Sequence, residues 1–221
     1  MLSRKGYYLM DVTTIILLAL GAFLLGACPF SLIIGRWFLR KDIRDYGDGN
    51  PGAVNVFRAG GNKIGYLAVL LDVAKGIPFV LLAHVHFELS SMAVVLIALC
   101  AILGHAFSPF LRWRGGKAIA VTFGVLVVMP QYEAFFAFTA LVIIGALLIE
   151  NDSWGMMFGA SGTLVFLALT GQSSWELILM LSILVLFTIK QFRDLRTLPS
   201  FRGRLVRRLQ SGKRETGELH S

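Results

Sequence analysis

Glycine recurs beside arginine or lysine at two places in an otherwise apolar chain of 221 residues. The first is Asp48-Gly49-Asn50-Pro51-Gly52-Ala53-Val54-Asn55-Val56-Phe57-Arg58. The second runs from Gly104 and ends Arg112-Trp113-Arg114-Gly115-Gly116-Lys117. Glycine leaves backbone N–H groups bare, and the basic side chains fix positive charge beside them, which is the chemistry of a phosphate site. In the first segment Gly49 and Gly52 permit tight turns and close approach of a ligand. Asn50 and Asn55 add amide donors and acceptors, and Arg58 can grip a phosphate through two N–H groups. So many glycines also predict a loop rather than a helix here. In the second segment Gly115, Gly116 and Lys117 open an apolar stretch, where a helix N-terminus offers free N–H groups to an anion. The spacing GxxxxGK[ST] of a nucleotide-binding loop is absent.

Three further polar residues interrupt apolar runs. Asp72 and Lys75 stand three apart, on one face of a helix. Ionisable groups at that depth are costly, so they read as a structural ion pair joining helices. His105 follows Gly104 and can donate to a carbonyl oxygen or take a proton; a hydrogen-bonded structural histidine is the plainer reading. His105 is followed five positions later by Phe110, so an HxxxxD acyltransferase pair is missing. No nucleophile–base–acid triad stands out. Neither a cofactor nor a metal is expected.

These residues must be positioned by membrane helices. The composition is 56% hydrophobic and 15% charged, with a mean hydropathy of +0.72, whereas a soluble domain is about a quarter charged. Apolar runs cover residues 12–34, 64–83, 92–110, 118–129, 134–149, 154–170 and 175–189, so an all-α integral membrane protein of about seven transmembrane helices is expected. The fourth run is short enough to be tilted or only partly spanning. Arg4 and Lys5 precede the first run, but it lacks a clear small-residue cleavage site and is expected to be retained. Cys28 and Cys100 sit in apolar segments with no CxxC partner and read as inert thiols.

Loop charge sets the orientation. Arg36, Arg40, Lys41, Arg44, Arg58 and Lys63 crowd the first loop, and Arg112, Arg114 and Lys117 follow the third run. The tail is also basic, whereas residues 84–91, 130–133 and 171–174 carry no lysine or arginine. The N-terminus is therefore expected outside and the C-terminus in the cytoplasm. Residues 1–192 form a polytopic membrane domain with cytoplasm-facing site loops at 36–63 and 111–118. Residues 193–221 form a basic cytoplasmic tail. The net charge of +8 is explained by topology and anionic lipid rather than nucleic acid.

The ordered set GDGNPGAVNVFR, LDVAKG and GHAFSPFLRWRGGK resembles the bacterial acyl-phosphate-dependent glycerol-3-phosphate acyltransferase family, PlsY. The resemblance implies a multi-pass enzyme of the cell membrane with its active site facing the cytoplasm. It implies acyl transfer from acyl phosphate to the 1-hydroxyl of glycerol 3-phosphate, giving lysophosphatidic acid for phospholipid synthesis. Membrane lipid is then a partner, and the chain a monomer or weak homo-oligomer. By position, Asp48, Asn50, Asn55 and His105 fall to catalysis. Gly49, Gly52, Arg58, Arg114, Gly115, Gly116 and Lys117 fall to substrate phosphate. The family usually has serine where this chain has Asp48, and threonine where it has Val54. Ala118-Ile119-Ala120-Val121 follows the glycine-lysine motif in place of glycine-valine-alanine-threonine. Gln191 and Asp194 stand where the family has histidine and asparagine; Gly212 and Glu215 match the end of that last motif. Asp48 then needs a neighbouring cation, Arg58 or Lys117. A diverged non-catalytic or altered-acceptor paralogue is the alternative within this resemblance. A small-anion or lipid transporter using the same loops is the alternative outside it, although no internal repeat supports one.

Overall fold

The computed structural model describes residues 4–203, whose regular elements are all helices apart from one isolated antiparallel bridge between Ile149 and Phe201. The basic tail expected after residue 203, with Gly212 and Glu215, lies outside the described residues. Seven helical limbs run back and forth between two ends. The first joins α1 (Arg4–Ala27), α2 (Phe30–Ile34) and a π turn at Gly35–Leu39. The second joins α4 (Asn62–Ala74), α5 (Pro78–Leu81) and a π turn at Leu82–His86; the short α3 (Ala53–Arg58) lies in the loop between. Then come α6 (Ser91–Ala106), α7 (Ile119–Leu126), α8 (Glu133–Leu148), α9 (Asp152–Leu169) and α10 (Ser174–Gln191).

Among the described residues, four segments have the length and composition to cross a membrane: Val12–Leu39, Asn62–His86, Ser91–Leu111 and Ser174–Gln191. The eight residues of α7 rise only about 12 Å, well short of the ~30 Å hydrocarbon core. The helix α8 is apolar but has only 16 residues. The helix α9 has 18 residues and carries Ser153, Gly155, Gly159, Ser161, Gly162 and Thr163.

Small residues bring the limbs together, as expected where lipid offers no hydrophobic drive between helices. A Cβ on Gly104 of α6 would strike the Phe23 carbonyl of α1, and one on Gly26 would strike the Ala101 carbonyl. Gly76 meets Gly124 and Val121 of α7 in the same way, and Gly145 of α8 meets Gly155 of α9. Phe138, Phe187, Ile97, Ile102 and Met180 fill the centre. Leu17, Phe136, Leu147, Val165 and Leu169 face outward, as a bilayer-facing surface does.

The first limb breaks at Cys28–Pro29, because Pro29 has no N–H to continue the ladder. The carbonyls freed there are satisfied from other limbs. Ser108 Oγ donates to the Ala27 carbonyl at 2.6 Å, and Lys75 Nζ donates to the Cys28 carbonyl at 2.9 Å. Lys75 also pairs with Asp72 at 2.8 Å, and Asp72 accepts from Ser31 Oγ. Both members are almost wholly buried, so the pair joins the second limb to the break in the first.

The expected loop at 48–58 is half helical. Its glycines all precede residue 53, and Gly52 is the extended N-cap of α3, so none of them dilutes the helix itself. A small apolar cluster of Leu32, Ile34, Ile43, Val56 and Ala68 clamps this loop onto α2 and α4.

Candidate active site

The chemistry sits at one end of the molecule. Gly47 and Gly49 flank Asp48, both with positive φ (60° and 73°), a turn that glycine makes without strain. The turn aims the Asp48 carboxylate inward. Its Oδ1 accepts from the Asn50 backbone N–H at 3.2 Å and from Asn55 Nδ2 at 3.0 Å. Asn55 is buried and fully engaged: Nδ2 also donates to the Asn50 carbonyl, and Oδ1 accepts from Arg58 Nη1. It holds the loop and the arginine in register. Arg58 ends α3, 3.8 Å from Asp48 and 3.7 Å from Asp152. Gly47, absent from the expected set, is needed because a Cβ there would strike Arg58 and Asn55.

Lys117 approaches from the other loop. Its ammonium lies 2.9 Å from Asp48 Oδ2 and 2.8 Å from Asp194 Oδ2, and it donates to Ser153 Oγ at 3.2 Å. Ser153 in turn donates to Asp194 at 2.7 Å. Asp194 opens a single 3₁₀ turn beyond α10, and Ser153 stands in the first turn of α9, whose N-cap is Asn151. Two cations therefore face three carboxylates.

Burial alone would raise the carboxyls of Asp48 and Asp194. The Lys117 hydrogen bond and charge more than reverse this, helped at Asp48 by the Asn50 and Asn55 bonds and at Asp194 by Ser153, so both stay below their usual range. Burial alone would lower the Lys117 amine, but Asp194 and then Asp48 hold it above its ordinary value.

A cavity of about 650 Å³ opens over this cluster, lined by Asp48, Gly49, Arg114, Lys117, Lys190 and Asp194 among others. The glycine pair beneath it has a structural task. A Cβ on Gly115 would strike the His105 carbonyl, and one on Gly116 would strike the His105 ring. The Gly116 N–H donates to the His105 carbonyl, and the Gly115 carbonyl accepts from Lys190. The Gly49 N–H donates to the Tyr46 carbonyl. Ala118, in the left-handed region at φ 64°, then turns the chain into α7. Gly52 stays beside the Asn50 amide.

His105 lies one layer below the cavity, buried with Asp72, Lys75 and Ser108 in a small space capped by Pro51 and Gly116. Among the described residues its Nδ1 has no hydrogen-bond partner, and neither has the buried Gln191 amide. The site thus unites Asp48, Asn55, Arg58 and Lys117, with His105 beside them. It adds Asp152, Ser153 and Asp194, of which only Asp194 stood out in the sequence, as a departure from a family motif. The signal for Ser153 was weak: Asn151-Asp152-Ser153 looks like an ordinary helix start. The described residues hold no group of three or more metal-ligating side chains.

The arrangement offers a floor of paired cations and carboxylates, the further basic side chains Arg114 and Lys190 in the cavity lining, glycine turns and an open roof, at a level where apolar limbs end. It suits an anionic, phosphorylated substrate. The profile described as Glycerol-3-phosphate acyltransferase matches residues 16–198. A glycerol-3-phosphate acyltransferase of Listeria monocytogenes serotype 4a is 36% identical over 186 residues, 81% of this chain and 89% of the relative. Two crystal forms of PlsY (YgiH), an integral membrane glycerol 3-phosphate acyltransferase, are similar in fold, each with a TM-score of 0.71. The glycerol 3-phosphate form is 26% identical and the lysophosphatidic acid form 28%; both alignments cover 82% of this chain and 90% of that one.

Proposed function

The chain belongs to the glycerol-3-phosphate acyltransferase family, and on that premise we propose how its own residues carry out the transfer. It is a membrane acyltransferase that acylates glycerol 3-phosphate to lysophosphatidic acid. Acyl phosphate is the donor. The 1-hydroxyl oxygen attacks the acyl carbonyl carbon, the bond from that carbon to the phosphate oxygen breaks, and inorganic phosphate leaves with the hydroxyl proton. A mixed anhydride already has a good leaving group, so positioning and offset of phosphate charge supply most of the catalysis.

The observation that carries this reading is the Lys117 ammonium, held within 3 Å of Asp48 and Asp194 at the floor of the open cavity. Lys117 and Arg58 hold substrate phosphate, and Arg114 reaches it from the cavity wall. Asn50 and Asn55 fix the Asp48 turn. Asp48 and Asp194 hold the cations in place and yield them when phosphate arrives. His105 supports the floor through Gly116.

The limbs alternate between the two membrane faces, α7 reaching only part of the way across, with the N-terminus outside and the site facing the cytoplasm. The helix ends support this. The loop at 40–61, the turn after α6, the start of α9 and the end of α10 gather at one end, through Lys117, Ser153, Asp194 and Lys190. Gln131 faces Glu176 at the other. The basic residues concentrate at the first end.

The deciding experiment incubates purified protein with labelled glycerol 3-phosphate and acyl phosphate, acyl-CoA or acyl carrier protein in parallel. Labelled lysophosphatidic acid is expected from acyl phosphate. Product from a thioester alone would overturn the donor assignment.

A further inference from the structure

A second cavity, of about 710 Å³, adjoins the first along Gly49, Pro51 and Arg114. Four arginines line it: Arg36, Arg44, Arg112 and Arg114. Asp42 is shared between Arg36 at 2.8 Å and Arg44 at 2.6 Å. Among the described residues, Arg112 and Arg114 have no acidic partner within salt-bridge distance. The contrast with Lys117 and Arg58, both covered by carboxylates, is direct: uncompensated positive charge lies in this second cavity.

Its level in the membrane is set by its walls. Arg36 belongs to the last turn of the span Val12–Leu39, and Phe110 and Leu111 end the span Ser91–Leu111. Phe110 in its wall, Trp37 and Phe38 next along the chain from Arg36, and Trp113 between Arg112 and Arg114 are all more than half exposed. Aromatic rings collect at the headgroup level of a bilayer, and arginine heads reach toward the same level. Arg112 and Trp113 both hold the left-handed conformation, at φ 51° and 64°. The Arg112 and Trp113 N–H groups donate to the Pro109 and Ser108 carbonyls, and Ser108 is tied to Ala27. A strained turn kept in this way has a fixed direction.

We propose that this arginine cavity is a binding site for the phosphate headgroup of an anionic membrane lipid, separate from the acceptor phosphate on Lys117. The headgroup sits among the guanidinium groups of Arg36, Arg44 and Arg112, which match phosphate oxygens in pairs, with Arg114 on the wall shared with the first cavity. The acyl chains lie along the exposed aromatic rings. The lysophosphatidic acid formed next door belongs to the same chemical class. The proposal rests on the membrane reading of the fold and not on turnover.

Native mass spectrometry of the full chain, released from micelles of mixed phosphatidylcholine and phosphatidylglycerol, tests it without substrate. Preferential retention of phosphatidylglycerol is expected. Arg112→Gln and Arg36→Gln should each lower that retention about fivefold, the scale of one surface arginine on an anionic lipid. Among the described residues Arg112 has no ion pair to lose, so its variant should fold and keep its basal acyl transfer in phosphatidylcholine alone. Equal retention of the two lipids, or unchanged retention by a folded Arg112→Gln, would overturn the site. Displacement of the lipid by inorganic phosphate at matching concentration would show a small-anion pocket instead and would equally sink the proposal.

Discussion

Asp48 is the one carboxylate among the described residues that reaches both Arg58 and Lys117. In the proposed phosphate site it competes with substrate phosphate for the two cations, so the site is closed on itself until an anion displaces it. Asp48→Ser should lower KM for glycerol 3-phosphate about fivefold, with kcat kept or raised. Asp48→Leu should lose transfer, because the Asn50 and Asn55 bonds go with the carboxylate. Steady-state kinetics of the three proteins decide this, and a raised KM in Asp48→Ser would reverse the argument. Lys117→Ala and Arg58→Ala should each lower kcat/KM by about two orders of magnitude, as loss of a charge-assisted contact does. Near wild-type turnover by both folded variants would remove them from the mechanism. The cluster also fixes a pH dependence. Asp48 and Asp194 are held below the ordinary 3.8, so their stabilisation is complete above that value and lost as pH falls through the folded values. Lys117 is held above 10.5, so its share is complete below that value and lost as pH rises further. The melting temperature should be flat in this respect between about pH 5 and 9, and Asp194→Asn should show a smaller acid-side fall. The cations, the asparagines and Asp48 were legible because glycine and charge rarely meet inside apolar sequence. Ser153 was not, since its partner Lys117 lies 36 residues away and no spacing rule spans that distance.

At the scale of elements, the apolar limbs were legible by length, but the interruption of the first was not. The break at Cys28–Pro29 hid inside one apolar run. It is tolerated because Ser108 and Lys75 arrive from limbs far along the chain to satisfy its carbonyls. Lys75 looked like half of an ion pair; it is also the donor that repairs a helix. The α1–α6 contact depends on backbone meeting backbone at Gly104, where neighbouring groups cannot rotate away. Gly104→Ala should therefore cost about 1–3 kcal/mol, and Gly104→Val more. Thermal unfolding in detergent measures both, and a wild-type melting temperature for Gly104→Val would mean the limbs can separate without penalty. Activity should fall in step, because Gly104 precedes the histidine against which Gly116 packs.

For the whole molecule, sidedness decides whether the site can meet its substrates. Single cysteines placed near Arg44 and Arg114 should resist an impermeant thiol reagent in intact cells, and one near Glu133 should react. Labelling of the first two without permeabilisation would invert the protein and move its chemistry outside. The seven limbs contribute unequally to the site, and the order of their appearance matters during synthesis. A chain emerges from the ribosome N-terminus first. Asp48 and Arg58 come early and Lys117 near the midpoint, but Asp194 and the Lys190 that ties α10 to Gly115 come almost last. A nascent chain that has emerged only as far as α9 already holds Lys117 without its Asp194 partner, and the α6 carbonyl at Ala106 without its donor. Such a chain has polar groups without their partners at the end where the site forms. Arrival of α10 and the turn after it thus brings the last partners of Lys117 and of the Ala106 carbonyl.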